Sequence, residues 1–397
     1  MDNLTHSLVG AAIGKAGAER ATPLATATLV VAANIPDIDI LGFVGGEYYS
    51  LAFRRGITHG WPALLVLPFF VTGLMMAWDR WMRRRRDPDA IPADPKWLLA
   101  LSAVGAVTHP ALDWLNIYGM RWHLPFDGTW TYGDSLFIID PWIWLLLGGS
   151  VFLASAPGRR GMVGWAVLGV LTTLLMLVGV GGWPAGLWIA GIAIVLLARR
   201  RKGVASSEAE AAPAGGSYAS LPGATPFQRR LVRAAGVLVV AYIAVMVTAD
   251  GAARAQVTAA AEAQGLTVVD LLVAPIRGVP YRTEIEVQTD DAFVPGAHDW
   301  FATPRVTLRP GDAVPLSDVP DDLSDATADA VIAEARTIPS ARYFLVWARF
   351  PYVRVTPTDD GWDVRFGDAR YDSQPEAAGL AGVTVRVPRS AVPIPDP

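Results

Sequence analysis

The sequence predicts a mainly α-helical protein: a polytopic transmembrane helical bundle followed by a small β-rich (α+β) extracytoplasmic domain. Three observations carry that expectation. Hydrophobic residues make up 52% of the chain and are gathered into long runs, and a spanning helix needs about 20 mostly apolar residues. Basic residues fall in clusters between alternate runs. After Asp250 the apolar pattern shortens to a two-residue period, that of half-buried strands.

Composition bounds the function. Only 18% of residues are charged, against about a quarter in an ordinary soluble domain, and the mean hydropathy is +0.33. A net charge of −4 offers no basic field, so no nucleic-acid contact is predicted. Cysteine is absent, which removes disulfides, thiolate metal sites and a cysteine nucleophile together. The opening MDNLTHSLVG lacks the basic n-region of a cleavable signal peptide. The richness in Ala, Gly and Arg suggests a GC-rich bacterial genome, and hence a multi-pass protein of a bacterial inner membrane.

Eight apolar segments follow one another. Residues 4–18 and 23–35 are short and rich in small side chains, with Gly10, Gly14 and Ala18 at every fourth position. That spacing lets helix backbones approach closely in lipid, so the two read as a tight helical hairpin, spanning or re-entrant. Residues 61–81, 97–115, 139–156, 162–182, 184–198 and 231–248 are the remaining runs, and Trp at several of their ends fits an aromatic belt. Basic clusters stand at 15–20, 83–86, 159–160, 199–202 and 229–233. If each is cytoplasmic, the spans alternate without contradiction. Both termini, residues 37–55, residues 116–138 and everything after Asp250 then face outward. The expected division is a transmembrane helical domain carrying the chemistry over 1–202, then a flexible cytoplasmic linker over 203–229 whose Ala, Ser, Gly, Glu and Pro content suits that role. A last transmembrane helix over 230–250 and a β-rich extracytoplasmic domain over 251–397 complete it. Within the last domain, strands are expected at 283–289, 343–349, 352–356, 362–366 and 383–387, and a helix at 326–337.

Histidine marks the chemistry. Four of the five histidines lie before residue 124: His6, His59, His109 and His123. Each falls at or near the predicted outer end of a helix, where an ionisable residue is costly and is a functional candidate by default. His109 and Asp113, in THPALDWLNIYG, are four residues apart and share one helix face. They can share a cation, or lock the bundle through a plain hydrogen bond. Pro110 weakens the helix between them. NIPDID offers Asp37 and Asp39 at alternate positions after Pro36, as a loop that can wrap a hard cation or as a solvated turn. His59, in RRGITHG, follows a Gly56 turn, with Thr58 to cap the helix or orient the imidazole. His6 falls in the first turn of a helix with Asn3 as the expected cap. An interfacial histidine is the alternative at both places. His123, in MRWHLPFDG beside Arg121 and Asp127, is a weaker ligand candidate, and His298 reads as structural or surface.

Taken together, three histidines and at least two aspartates meet at one side of one bundle. Such a set suits one or two divalent ions, Zn2+ first and Mn2+ second. Asp39, His59, His109 and Asp113 would bind the first ion, as the catalytic set, with His6 and Asp37 completing it or bridging to a second. A metal here activates water near neutral pH. Arg54, Arg55 and Arg121, with Asn116 and His123, would meet an anionic group such as phosphate, unless the arginines are interfacial snorkels. The reading is hydrolysis of a phosphoester or lipid-like ester, with a membrane lipid or lipid-linked substrate entering from the bilayer. A reading of another class is a scaffold or transporter whose His/Asp cluster relays protons or passes a metal. The gathering of polar residues at one end, rather than along a path, disfavours it. A third is that the β-rich domain recognises a protein partner outside and the bundle only anchors it.

At these residues the sequence resembles the YdjM-type membrane-bound metal-dependent hydrolases, also described as LexA-binding, inner-membrane-associated hydrolases. The shared motifs are DNLTHSLVGAAIG, NIPDIDIL, RRGITHG, THPALDWLNIYGMRWHLPFDG and the FIIDPW stretch at 137–142, and they cover roughly the first half of the chain. The resemblance implies metal-dependent hydrolysis with His6, Asp37 or Asp39, His59, His109 and Asp113 as the metal set. The order His, Asp, His, then His-x3-Asp is also similar to the zinc-dependent phospholipase C and S1/P1 nuclease group, which implies phosphoester substrates. No later His-x3-Glu pair follows His123, so one or two metals are expected rather than three. Asp127, Asp134 and Asp140 are the acidic residues that remain to substitute.

Overall fold

A computed structural model of the chain describes residues 1–205, 223–372 and 378–392. Of the expected linker, residues 206–222 lie outside the described residues. The chain forms two compact units that interleave in sequence. The first comprises Met1–Ile38, Arg55–Ala249 and Pro275–Pro280. The second comprises Asp39–Arg54, Asp250–Ala274 and the described residues from Tyr281 onward.

The first unit is helical. Its elements are α1 (Asn3–Lys15), α2 (Ala25–Ala32), α4 (Trp61–Arg86), α5 (Pro95–Trp114), α6 (Pro141–Ala154), α7 (Arg159–Gly179), α8 (Gly182–Ala205) and the first part of α9 (Pro226–Ala263). The short α3 (Glu47–Phe53) lies in the second unit. All eight apolar segments are helical, but only five helices among the described residues are long and apolar enough to cross a membrane: Ala25–Gly45, Trp61–Arg86, Arg159–Gly179, Gly182–Arg201 and Pro226–Ala263. α1 has 13 residues, or about 20 Å at ~1.5 Å each, short of the ~30 Å hydrocarbon core.

Two local expectations are corrected. Asp2, not Asn3, caps α1: its carboxylate accepts from Thr5 N at 3.0 Å and Thr5 Oγ1 at 2.6 Å. NIPDID is not an open loop, because the chain continues past Pro36 as a 3-10 helix over Ile35–Gly45. The close approach expected of the small residues is present. A Cβ on Gly10 would lie 2.8 Å from Leu29 O, and one on Gly14 would collide with the Thr26 side chain. α5 crosses α2 in the same way, with a Cβ on Gly105 reaching Ala32 Cβ at 2.7 Å. Leu29, Ala32 and Leu98 are fully buried in that seam, whereas the apolar side chains of α7 and α8 are mostly exposed, as lipid-facing surfaces are.

The second unit carries two sheets. One has the order β1 (Asp270–Ile276), β2 (Val279–Gln288), β3 (Ala292–Asp299), β4 (Val306–Leu308), with β5 (Val314–Pro315) also on β3. The other runs β6 (Ser317–Asp318), β7 (Pro351–Thr358), β8 (Gly361–Asp368), β9 (Gly382–Pro388), antiparallel except for the β6–β7 pair. The C-terminal turns of α9 bury Ala253, Val257 and Ala261, one residue per turn, in the core of the first sheet. α10 (Asp325–Thr337) falls where a helix was expected. The expected strand at 343–349 is instead helix α11 (Pro339–Trp347). YFLVWAR reads as alternating, yet Ala341, Phe344 and Trp347 are three apart and share one buried helical face, and Pro339 favours a helix start. Residues 39–54 belong to this unit too: Tyr49 of α3 meets Tyr343 edge-on at 5.3 Å.

Candidate metal centre

Three segments of the first unit bring four side chains to one point. α5 supplies His109 and Asp113, both buried, from adjacent turns. The 3-10 helix supplies Asp37 from its first turn. The turn before α4 supplies His59, which is also fully buried. One ligand atom from each of Asp37, His59, His109 and Asp113 lies within 4.8 Å of every other. His59 Nε2 and His109 Nε2 are 3.1 Å apart. Asp37 Oδ1 stands 3.8 Å from the first and 3.7 Å from the second. Asp113 Oδ2 stands 3.5 and 3.6 Å from the same two atoms.

Each side chain is held from behind. His109 Nδ1 is 2.6 Å from Ala33 O. A carbonyl can only accept, so Nδ1 carries the proton and Nε2 presents a lone pair to the centre. Thr58 Oγ1 lies 2.9 Å from His59 Nδ1, the orienting contact anticipated for Thr58. Asn3 Nδ2 donates to Asp37 Oδ2 at 2.7 Å. Asp113 Oδ2 receives Arg55 Nε at 3.0 Å, and its Oδ1 meets His6 Nε2 at 3.1 Å and the Met1 ammonium group. The His6 ring also stacks on His109, with centroids 3.8 Å apart. His6 therefore touches the group without being one of its four members.

The His59 turn is fixed by the segment after α5. Arg121 N donates to Arg55 O at 3.1 Å and Trp61 N to Trp122 O at 3.0 Å. A Cβ on Gly60 would lie 2.8 Å from Trp122 O, so only glycine allows the two strands of chain to pass. Arg55 itself adopts a left-handed φ of 51°, uncommon for a non-glycine residue, and its side chain is buried.

Donor chemistry fits a divalent cation. Atoms each about 2.0–2.2 Å from a zinc ion stand no more than ~4.4 Å apart, and the five distances above run from 3.1 to 3.8 Å. Asp37 and Asp113 bring two negative charges and Arg55 returns one positive, so a divalent ion would leave the pocket positive overall.

The remaining expected site residues are placed as follows. Asp39 is not one of the four. Residues two apart on a helix of about three per turn point in different directions, and here Asp37 is the one turned to the cluster; Asp39 Oδ1 stands 3.5 Å from Arg54 Nε. Arg55 donates to Asn116 Oδ1 at 2.7 Å as well as to Asp113. The Arg121 guanidinium lies 4.5 Å over the Trp130 ring. His123 is exposed. Asp140 caps α6 through Trp142 N and Ile143 N, at 2.9 and 3.1 Å, and accepts from Tyr242 OH at 2.8 Å. Asp127 accepts from Thr129 N at 2.9 Å in an exposed turn. Neither these two nor Asp134 belongs to the four-residue group. Two supporting residues were missed from sequence. The sequence points to Asn3 only as a cap and to no role for Gly60; the motif DN at the helix start is the one available signal for the former.

Residues 1–183 match the family profile described as YdjM inner membrane protein. No curated protein and no solved structure matches the chain.

Proposed function

Residues 1–183 belong to the YdjM inner membrane protein family, and from that premise we propose that the chain is a multi-pass, metal-dependent membrane hydrolase acting on a phosphoester or lipid-like ester. The observation that carries the reading is the convergence of two imidazole nitrogens and two carboxylates, with the His109 lone pair forced inward by its bond to Ala33 O. Asp37, His59, His109 and Asp113 would hold the ion, Zn2+ by donor preference and Mn2+ as the second choice. A cation bound there supplies Lewis acidity and activates water.

The chain's own residues do the rest. Arg55 and His6 fix the two oxygens of Asp113, and His6 is the residue that would help to hold a second ion. Thr58 and Asn3 fix His59 and Asp37. The positive balance of the loaded pocket favours an anionic substrate, with Arg121 and His123 of the 116–138 segment as the groups proposed to meet it. Site residues spread over α1, α5 and Ala25–Gly45 favour entry of a membrane lipid or lipid-linked substrate from the bilayer. Basic clusters between spans support placing the second unit outside a bacterial inner membrane, where it is free to bind a protein partner.

Purified protein should contain one or two divalent ions per chain by elemental analysis, and should turn over members of a broad phosphoester and lipid panel until chelated. His109→Ala should lose the metal. Full metal content in that variant would defeat the assignment. Metal or proton flux in vesicles without any turnover would favour a transporter.

A further inference from the structure

Between α1, α6, α7 and α8 runs a groove of about 490 Å3. Leu4, Leu8, Trp144, Phe152, Trp165 and Trp188 are among its lining residues. It is separate from the metal centre: Leu4 and Leu8 each stand about 200° around α1 from His6 at ~3.6 residues per turn. Three polar groups in the wall are already partnered. Trp188 Nε1 donates to Thr173 Oγ1 at 3.0 Å, Trp144 Nε1 to Thr5 Oγ1 at 2.9 Å, and Thr172 Oγ1 to Leu168 O at 2.8 Å. The rest of the wall is almost wholly apolar. α7 lines the groove from Met162 to Leu174, about 18 Å at ~1.5 Å per residue. One leaflet, half of a ~30 Å hydrocarbon core, is about as deep.

One end of the groove is cationic. α7 begins after Gly158 with no side-chain cap, and Arg159 and Arg160 open its first turn. Positive side chains at a helix N-terminus oppose the helix dipole. An anion seated there reverses that penalty and satisfies the open N–H groups. Arg199 of α8 lies at the same end. Its guanidinium stands 5.0 Å over the ring of Phe152, a wall residue, and donates to Phe152 O at 3.0 Å and Ser155 O at 2.5 Å. Carbonyl partners leave its charge in place.

We propose that this groove seats one acyl chain of an anionic phospholipid, with the phosphate at the start of α7 against Arg159, Arg160 and Arg199. Any lipid could fill the apolar wall, but only an anionic headgroup complements the cationic end. The lipid would join α1 to α7 and α8, a role independent of the chemistry at the metal centre.

The test uses the full chain in detergent micelles, titrated with brominated phosphatidylglycerol, brominated phosphatidylcholine or soluble glycerol phosphate. Tryptophan quenching and native mass spectrometry report binding. Phosphatidylglycerol should bind at least tenfold more tightly than phosphatidylcholine, and glycerol phosphate should bind negligibly. Replacing Arg159, Arg160 and Arg199 together by Gln should abolish the preference. Gly169→Leu should weaken both lipids, because a Cβ at that wall position meets nothing within 4 Å and the longer side chain enters the groove. Leucine is the better helix former, so α7 stays intact. Equal affinity of the wild-type chain for the two lipids would overturn the proposal without recourse to any variant. So would undiminished binding by a folded Gly169→Leu protein, or glycerol phosphate binding as tightly as the lipid.

Discussion

Gly105→Ala places the smallest possible perturbation between two helices and should empty a metal centre it does not touch. A Cβ there would lie 2.7 Å from Ala32 Cβ, 2.9 Å from Leu29 O and 3.2 Å from Ala33 N. Two of those three atoms are backbone and cannot rotate away. Relieving the first contact to an ordinary carbon separation of about 3.5 Å requires α5 to retreat from α2 by about 0.8 Å. The next turn of α5 carries His109, whose Nδ1 lies 2.6 Å from Ala33 O, on the same stretch of α2. The same retreat stretches that bond to about 3.4 Å, beyond the ~2.7–3.2 Å of a good hydrogen bond. The imidazole is then free to turn, and its lone pair leaves the cluster. Overpacking of this kind costs about 1–3 kcal/mol, and loss of a supporting contact behind a ligand costs about 10–100-fold in metal affinity. Zinc titration of the purified chain, paired with thermal unfolding, measures both. Gly73→Ala on α4 is the control, since a Cβ there meets nothing within 4 Å, and it should leave affinity unchanged. If Gly105→Ala binds zinc as tightly as wild type, the link between helix spacing and the metal centre is wrong.

Three further outcomes are expected. Thr58→Val keeps the shape of the His59 turn but removes the 2.9 Å contact to His59 Nδ1; zinc affinity should fall by about 10–100-fold with no change in unfolding temperature, and unchanged affinity would reduce Thr58 to packing. In the second unit, Arg370 and Asp368 form a fully buried ion pair at 2.7 Å beneath Trp347. Arg370→Met leaves the carboxylate buried and uncompensated, so near-ultraviolet circular dichroism should show a loss of about 3–5 kcal/mol, and a loss under 1 kcal/mol would contradict it. His298 is buried beside Trp300, Gln256, Asp299 and Arg305. Burial, reinforced by Arg305, lowers its pKa from the ordinary histidine value. The unfolded chain then binds the proton more readily than the folded one. Stability is therefore full above about pH 6.5 and declines below it until the folded-state pKa is passed. Chemical denaturation across that range should show the decline, and His298→Phe should flatten it.

The helical half of the fold was legible because lipid imposes one rule: apolar runs with internally satisfied backbones. Gly10 and Gly14 announced close contact with α2 and make it. Span count was less legible, since α1 and α6 are apolar yet too short to cross, and only the structure shows where each run begins and ends. In the second unit, alternation located β2, β7, β8 and β9 but misled at 343–349, where period two and period three fit the same letters. The inclusion of residues 39–54 with the C-terminal sheets had no sequence signal, because packing between segments some 300 positions apart leaves no local pattern.

The site shows the same division more sharply. His109 and Asp113 were legible because an i, i+4 pair fixes its own geometry. The choice between Asp37 and Asp39 was not, because it depends on whether NIPDID forms a loop, which would free both carboxylates, or a 3-10 helix, which turns only one inward. The role of Arg55 was not legible either. An interfacial arginine and a buried one have the same sequence, and only the structure shows Arg55 buried against Asp113. That residue also explains why Asp113 can sit inside an apolar bundle at all. Removing a carboxylate from water costs several kcal/mol unless opposite charge and hydrogen bonds replace the solvent, and Asp113 has Arg55 on one oxygen and His6 on the other. The Oδ2 that receives Arg55 Nε also stands 3.5 and 3.6 Å from His59 Nε2 and His109 Nε2. Arg55 thus compensates the buried charge while Oδ2 stays within reach of both imidazoles, so the carboxylate is held in place as a ligand as well as neutralised.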